Sequence, residues 1–267
     1  MSSKLSAVMD GCRFDPGADT RTQIAALLES LQAAGLLRAS ACAVLLGEQY
    51  HLGGVEDTRR MAEALGIVAA DRVLDLACYV GGPARHLARQ YGCQVVGVDI
   101  SEDCIAIAEK LTELCELTDR VRFICATADA VPEPDGSFTV AWSQGSFPSD
   151  LSWLTEMHRL LIPGGRIGFT GVIRRSGSSD PSHCSLHEVQ GHVTEVGFRV
   201  ISAEDISDWE LEHGWLPTRR KLEENEAHYR NLLGDEWVKK AYGSIDEDTA
   251  AWREERLGSG RVVAVKE

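Results

Sequence analysis

Two aspartates carry the first chemical signal of the sequence. Asp75 sits in VLDLACYVGGPARHLA, residues 73–88, and Asp99 ends the apolar run in VVGVDIS, residues 95–101. An acid at the end of the second strand of an α/β unit can accept both hydroxyls of a ribose. Gly81, Gly82 and Pro83 have the composition of a turn that opens a helix, whose first N–H groups can receive a carboxylate. Neither GxxxxGK[ST] nor GxGxxG occurs in the chain. An acid in the first turn would also repel a pyrophosphate, yet suits an ammonium group. A ribose, an α-amino group and no phosphate together describe S-adenosylmethionine.

The elements that must position these acids alternate along the chain. RVLDLAC, CQVVGVDIS, RVRFICATAD, DGSFTVAWSQGSF, IPGGRIGFTGV and FRVISAEDIS read as strands, separated by helix-length amphipathic segments. That order predicts a parallel, doubly wound sheet. Residues 20–46 show helical spacing interrupted at Gly35, and VEDTRRMAEALG is an amphipathic helix closed by Gly66. Residues 206–258 break the alternation, are rich in charge and hold four of the six tryptophans; GRVVAVKE then returns as a strand. Four units are expected: an N-terminal helical arm and lid over 1–60, a cofactor domain over 61–205, a helical cap over 206–258 and a final strand over 259–267.

The formal net charge of −14 and the lack of a basic cluster argue against nucleic acid as partner. No apolar run is long enough to span a bilayer, and the N-terminal stretch has no secretory apolar segment, so no membrane partner and a cytoplasmic location are expected. Eight scattered cysteines without a CxxC pair read as reduced thiols. His183 and His187 in HCSLH stand four apart, fewer ligands than a zinc site uses, so no metal is expected. The partner of choice is a small neutral or cationic molecule, and self-association stays open.

Five segments, HLGGVEDTRRMAEALGI, VLDLACYVGGPARHLA, VVGVDIS, ATADAVPEPDGSFTVAWSQ and LLIPGGRIGFTG, occur in this order between Tyr50 and Val172. In them the chain resembles the class I S-adenosylmethionine-dependent methyltransferases, in the small-molecule branch that includes sarcosine/dimethylglycine, phosphoethanolamine and tocopherol methyltransferases. The resemblance implies an α/β fold, a doubly wound, mostly parallel seven-stranded Rossmann-like sheet with N-terminal helices and a helical cap before the last strand. It also implies that Asp75, Ala77, Cys78 and Gly81 hold the methionine end, that Asp99 takes the ribose, and that Ile100, Asp129 and Ala130 meet the adenine. Tyr50 would close over the cofactor, and Ser143 and Gln144 would stand where the methyl group emerges.

Three departures set this chain apart. Ala77 and Tyr79 replace the glycines of the D-x-G-C-G-x-G-G loop, Ser149 stands near a position that often holds a histidine, and Gly171 replaces a common acid. Methyl transfer needs positioning and exclusion of water more than a strong base, and an amine close to its own pKa needs only weak assistance. The expected activity is methylation of a small molecule, most readily at an amine nitrogen. The alternatives are a thiol, a phenol or quinol oxygen or carbon on the same fold, or a non-catalytic S-adenosylmethionine-binding module. His51, Tyr79 and Gln144 are the catalytic candidates: His51 as a base, and Tyr79 as a pocket wall or through its hydroxyl. The cap tryptophans read as anchors or as an aromatic cage for a cation.

Overall fold

A computed structural model describes residues 19–146, 151–176, 178–179 and 181–267. Ser149, one of the departures noted above, lies outside them. Seven strands among the described residues form one sheet: β1 (Arg72–Leu76), β2 (Gln94–Asp99), β3 (Val121–Cys125), β4 (Phe138–Ser143), β5 (Leu161–Arg174), β6 (Phe198–Asp205) and β7 (Leu257–Lys266). Their spatial order is β3-β2-β1-β4-β5-β7-β6. The first five run parallel, and β7 is antiparallel to both β5 and β6. Strand order therefore reverses between β1 and β4, at whose carboxyl ends an open α/β sheet forms its ligand crevice.

Side chains of a strand alternate between faces, and the two faces have separate cores. Leu74, Leu76, Val96 and Val98 pack with Leu154, Met157 and Leu160 of α6 (Leu151–Leu160) and with Val189 and Val193 of α7 (Leu186–Glu195). Val73, Val95 and Val140 pack on the other face with Met61 and Leu65 of α3 (Gly54–Leu65) and with Ala84 and Leu87 of α4 (Gly82–Tyr91). Helix α4 starts at Gly81 (φ 75°), carries Pro83 in its first turn and ends at Gly92 (φ 74°). Helix α5 (Glu102–Leu114) is capped by the Ser101 side chain, which accepts from the Cys104 N–H.

The N-terminal region forms α1 (Thr20–Ala33), α2 (Ala41–Leu46) and a 3₁₀ turn at Gly47–Gln49. Ile24, Leu27, Leu28 and Leu31 of α1 pack on Tyr79, Val80 and the Ile107 and Leu111 side chains of α5. The insert before β7 is helical as expected: α8 (Ser207–Glu210), a π-helical turn at Leu211–Trp215, α9 (Leu216–Glu224), α10 (Glu226–Leu233) and α11 (Asp235–Arg253). Its apolar face closes on α2, with Ala41, Val44 and Leu45 against Trp215, Leu222, Tyr229 and Trp252. The tryptophans are anchors: Trp215 meets Trp252 edge-on with ring centroids 5.5 Å apart, and the Trp237 indole N–H donates to the Ala39 carbonyl. No described helix is long and apolar enough to cross a membrane. Among the described residues no cluster of three metal-ligating side chains occurs, and His183 faces the Ser182 hydroxyl at 3.0 Å.

Two contacts fasten the helical insert to the residues just before α3. Gly214 of the π turn lies against Leu52, and Gly53 (φ 77°) lies against the Trp209 ring, where an added Cβ would stand 2.6 Å from ring carbons. Trp209 is stacked on His213 at 4.8 Å and under the Arg60 guanidinium at 4.3 Å, so it has little freedom to yield. Gly53→Ala should cost about 1–2 kcal/mol from the left-handed backbone alone. Thermal unfolding should shift down by at least roughly 2–4 °C for each kcal/mol. An unchanged melting temperature would show that the cap does not depend on this contact.

Candidate active site

The crevice at the β1–β4 reversal has two lobes that share Ala77 and Asp99. One, about 300 Å³, is lined by Val98, Asp99, Ile100, Ala126, Thr127, Ala128, Asp129, Ser152 and Trp153. The other, about 150 Å³, is lined by Gln49, Tyr50, Asp75, Cys78, Tyr79, Pro83, Gln144, Gly145 and Ser146. The first has the makings of a base-and-ribose lobe: an apolar wall, Ile100 lying 73% exposed beside it, and carboxylates at both ends. The second is enclosed by the loop after β1, the turn after β4 and the segment holding Gln49 and Tyr50.

The loop after β1 keeps a glycine's backbone without the glycines. Ala77 (φ 57°) and Tyr79 (φ 51°) both adopt left-handed conformations, as does Gly81. Each non-glycine residue there costs on the order of 1–2 kcal/mol. Part of the compensation is a hydrogen bond: the Tyr79 N–H donates to Asp99 Oδ2 at 3.0 Å, while Oδ1 accepts the Ser101 N–H at 2.9 Å. Asp99 thus holds the loop and, with its remaining lone pairs, can still take ribose hydroxyls. The rest comes from packing. The Tyr79 ring lies 4.6 Å from that of Tyr50 and among the apolar residues of α1 and α5.

The sequence offers the Tyr79 hydroxyl as a group that could orient a nucleophile. The hydroxyl oxygen is fully enclosed in that core, and burial drives its pKa upward. Tyr79 serves the cleft as a wall through its ring and backbone. His51 is likewise placed behind the lining rather than in it. It is 4% exposed, with Nε2 3.1 Å from Thr58 Oγ1 and Nδ1 3.1 Å from the Leu52 carbonyl, and burial lowers its pKa. Ser143 is completely buried and its hydroxyl donates to the Ser146 carbonyl in the turn after β4. The Ala130 N–H is committed to the Thr127 carbonyl, and the residue is not part of the lining.

Asp75 is the most telling group. It is 2% exposed, its Oδ2 has no hydrogen-bond partner, and burial, with Asp99 nearby, pushes its pKa up to about 8. A buried carboxylate oxygen without a partner is costly unless a donor arrives. An α-ammonium group is such a donor, so the residues present fit S-adenosylmethionine. Asp75 would hold the amino group, the start of α4 the carboxylate, and Asp99 the ribose, with adenine between Ile100 and the Asp129 side.

Residues that sequence reasoning missed complete the site. Gln49 and Trp153 line the two lobes. Behind the wall, Asp57 accepts from Gln144 Nε2 at 2.6 Å and from Arg261 Nη2 at 2.7 Å. Trp153, an aromatic at the start of the helix after β4, had a readable signal. Asp57 had none, because an acid in a helix's first turn is explained by the helix dipole alone.

Residues 73–165 match the methyltransferase domain family. Over 209 residues the chain is 32% identical to 27-O-demethylrifamycin SV methyltransferase of Amycolatopsis mediterranei, covering 67% of this chain and 76% of that protein. The chain belongs to the S-adenosylmethionine-dependent small-molecule methyltransferases. Sarcosine/dimethylglycine N-methyltransferase of Halorhodospira halochloris is 26% identical over 228 residues, 75% of this chain and 81% of that protein. Phosphoethanolamine N-methyltransferase 2 of Haemonchus contortus, solved with S-adenosyl-L-methionine, shares the fold. Its TM-score is 0.77 at 20% identity, over 95% of this chain and 61% of that one.

Two expectations follow for this methyltransferase. Below about pH 8 the free Asp75 carboxyl holds a proton that it must release to pair with an ammonium group. Binding therefore releases a proton, and cofactor affinity should rise with pH, by up to about tenfold per unit, until the free-site pKa is reached. Calorimetry between pH 6 and 8 should show that slope in the native enzyme and its loss in Asp75→Asn. Asp99→Ala removes charge-assisted bonds of about 1.5–3 kcal/mol, so affinity should fall roughly tenfold to a hundredfold. Unchanged binding by a folded Asp99→Ala protein would remove Asp99 from the site.

Proposed function

We propose that the enzyme methylates the nitrogen of a small amine. The observation that carries this reading is the composition of the smaller lobe. Its described lining contains the carboxyl groups of Asp75 and Asp99 and the amides of Gln49 and Gln144, but no imidazole, lysine or arginine. His51, the nearest imidazole in sequence, has both ring nitrogens against protein atoms. A lobe with acids and no free base suits a nucleophile that reacts as a neutral amine and leaves as an ammonium ion.

S-adenosylmethionine, when bound, supplies a sulfonium methyl group: the amine lone pair forms the N–C bond and the C–S pair returns to sulfur. The chain's own contribution is to align and to dry the site. Tyr50 and Tyr79 wall the lobe from the lid side, Cys78 and Pro83 fill the loop side, and Gln144 faces the acceptor. Holding two reactants in line can supply about 7–11 kcal/mol of the barrier. Asp75, Asp99, Ile100 and Asp129 hold the cofactor in this reading. The cap acts on the lobe through the lid contacts at Gly53 and Gly214.

An oxygen acceptor is the second reading, favoured by the relative named for 27-O-demethylrifamycin SV at 32% identity. Incubation with methyl-labelled S-adenosylmethionine and parallel panels of amines, alcohols, phenols and thiols separates the two. Labelled N-methyl product with S-adenosylhomocysteine release is expected. Label confined to alcohols or phenols would replace the amine reading with the oxygen one.

A further inference from the structure

Arg85 and Arg89 stand four apart on α4 and His86 three before Arg89, which puts all three on one face of the helix. Like charges at that spacing repel, so the face asks for a counter-charge. It borders a cavity of about 70 Å³ between α4, the start of α1 and the outer side of the Gly47–Gln49 turn. The lining includes Arg21, Glu48, Gln49, Arg85, His86 and Arg89. A single water needs only about 10–15 Å³, so the cavity has room for a larger guest.

The protein answers these charges only in part. Arg85 is buried and donates to the Glu48 carboxylate and, through Nη1, to the Val80 carbonyl at 2.7 Å. Arg89 Nη2 donates to the neutral Cys115 carbonyl at 3.1 Å. Among the described residues no carboxylate pairs with Arg21 or Arg89. Asp19, close to Arg21, spends Oδ2 on the N–H and hydroxyl of Thr22 and does not line the cavity. His86 Nε2 is a buried atom with no hydrogen-bond partner. Burial and then the Arg21 charge lower the His86 pKa, Glu48 opposes them and Arg89 adds to them, so these charges converge on one ring. In the lining, three guanidinium groups face the carboxylate of Glu48 alone, a surplus of two positive charges on a chain whose net charge is −14.

We infer that this cavity binds a phosphate group between Arg21, His86 and Arg89, and that the bound group braces the Gly47–Gln49 turn against α4. A phosphate carries close to two negative charges at neutral pH, which matches the surplus. Guanidinium groups suit its oxygens, and the unpartnered His86 Nε2 supplies a further donor. The brace follows from where the cavity lies. A Cβ added to Gly82 would overlap the Glu48 carbonyl, so the turn rests directly on the first turn of α4. Gln49 lines this cavity and, on its other side, the smaller lobe of the crevice. An anion that draws α1 and α4 together beside Glu48 resists the opening of that contact, and with it the release of the cofactor. The inference holds whichever atom accepts the methyl group.

Calorimetry on the full-length protein at fixed ionic strength tests this with inorganic phosphate, glycerol 3-phosphate and acetate as probes. Saturable phosphate binding with a Kd of about 1 mM or below is expected. Arg21→Gln combined with Arg89→Gln should weaken it by about tenfold or more, because each change removes a charged donor. Both residues are exposed, so the melting temperature and the S-adenosylhomocysteine affinity without phosphate should stay native. Phosphate should tighten S-adenosylhomocysteine by about threefold or more, and S-adenosylhomocysteine should tighten phosphate by the same factor. By nuclear magnetic resonance, phosphate should raise the pKa of the His86 ring, since an anion favours the imidazolium. Binding of phosphate without its glycerol ester assigns the free ion, and equal binding of both assigns the end of a phosphate monoester; either supports the site. A preference for acetate, native phosphate affinity in the double variant, or no saturation at about ten times the expected Kd would overturn it. Competition between phosphate and S-adenosylhomocysteine would overturn it too, since that puts phosphate in the cofactor crevice. Phosphate binding that leaves S-adenosylhomocysteine affinity unchanged would overturn the brace.

Discussion

The Asp57–Arg261 pair is the constraint on which the site depends. Both side chains are at most 4% exposed, so neither charge has water to fall back on. Removing one member of such a pair strands the other, typically at a cost of about 3–5 kcal/mol. The pair joins α3 to β7, and through Gln144 it also reaches the end of β4. It ties α3, the sheet and the turn after β4 to one another. The same neighbourhood contains Glu210 of the cap, bonded to the Ser259 hydroxyl, with burial pushing its pKa up to about 8.

The cofactor loop shows a second economy of the same kind. Two residues bear a backbone conformation that favours glycine, yet Tyr79 brings a large ring that joins α1 and α5 to the loop. The strain of the left-handed conformation is local, whereas the area covered by the ring is shared among three elements. The loop therefore keeps the shape that a glycine would give and adds a connection to the N-terminal helices that a glycine could not make.

Much of this was legible in the sequence, for definable reasons. Asp75 and Asp99 stand at strand ends, and the alternation of strands with helices places strand ends at the crevice. The cap announced itself by interrupting that alternation, and its tryptophans by needing something to cover. Assigning roles to Tyr79 and His51 was harder, because residue type shows what a side chain can do but not which way it faces. The Tyr79 ring packs among the side chains of α1 and α5, and the His51 ring nitrogens face Thr58 and the Leu52 carbonyl. Asp57 was invisible because its partners are 87 and 204 residues away along the chain. No local pattern encodes such a meeting, which arises only when sheet order brings β4 and β7 beneath the lid helix.

The position of β7 bears on how the molecule is assembled. This strand follows both of its neighbours in sequence, yet it lies between β5 and β6, antiparallel to each. Until it arrives, β5 has one open edge and β6 has no partner, and Asp57 has no arginine. During synthesis the parallel half can collapse around β1 to β4, but the crevice cannot be braced until the last strand slides in. Such long-range pairing is slow and leaves strand edges exposed meanwhile.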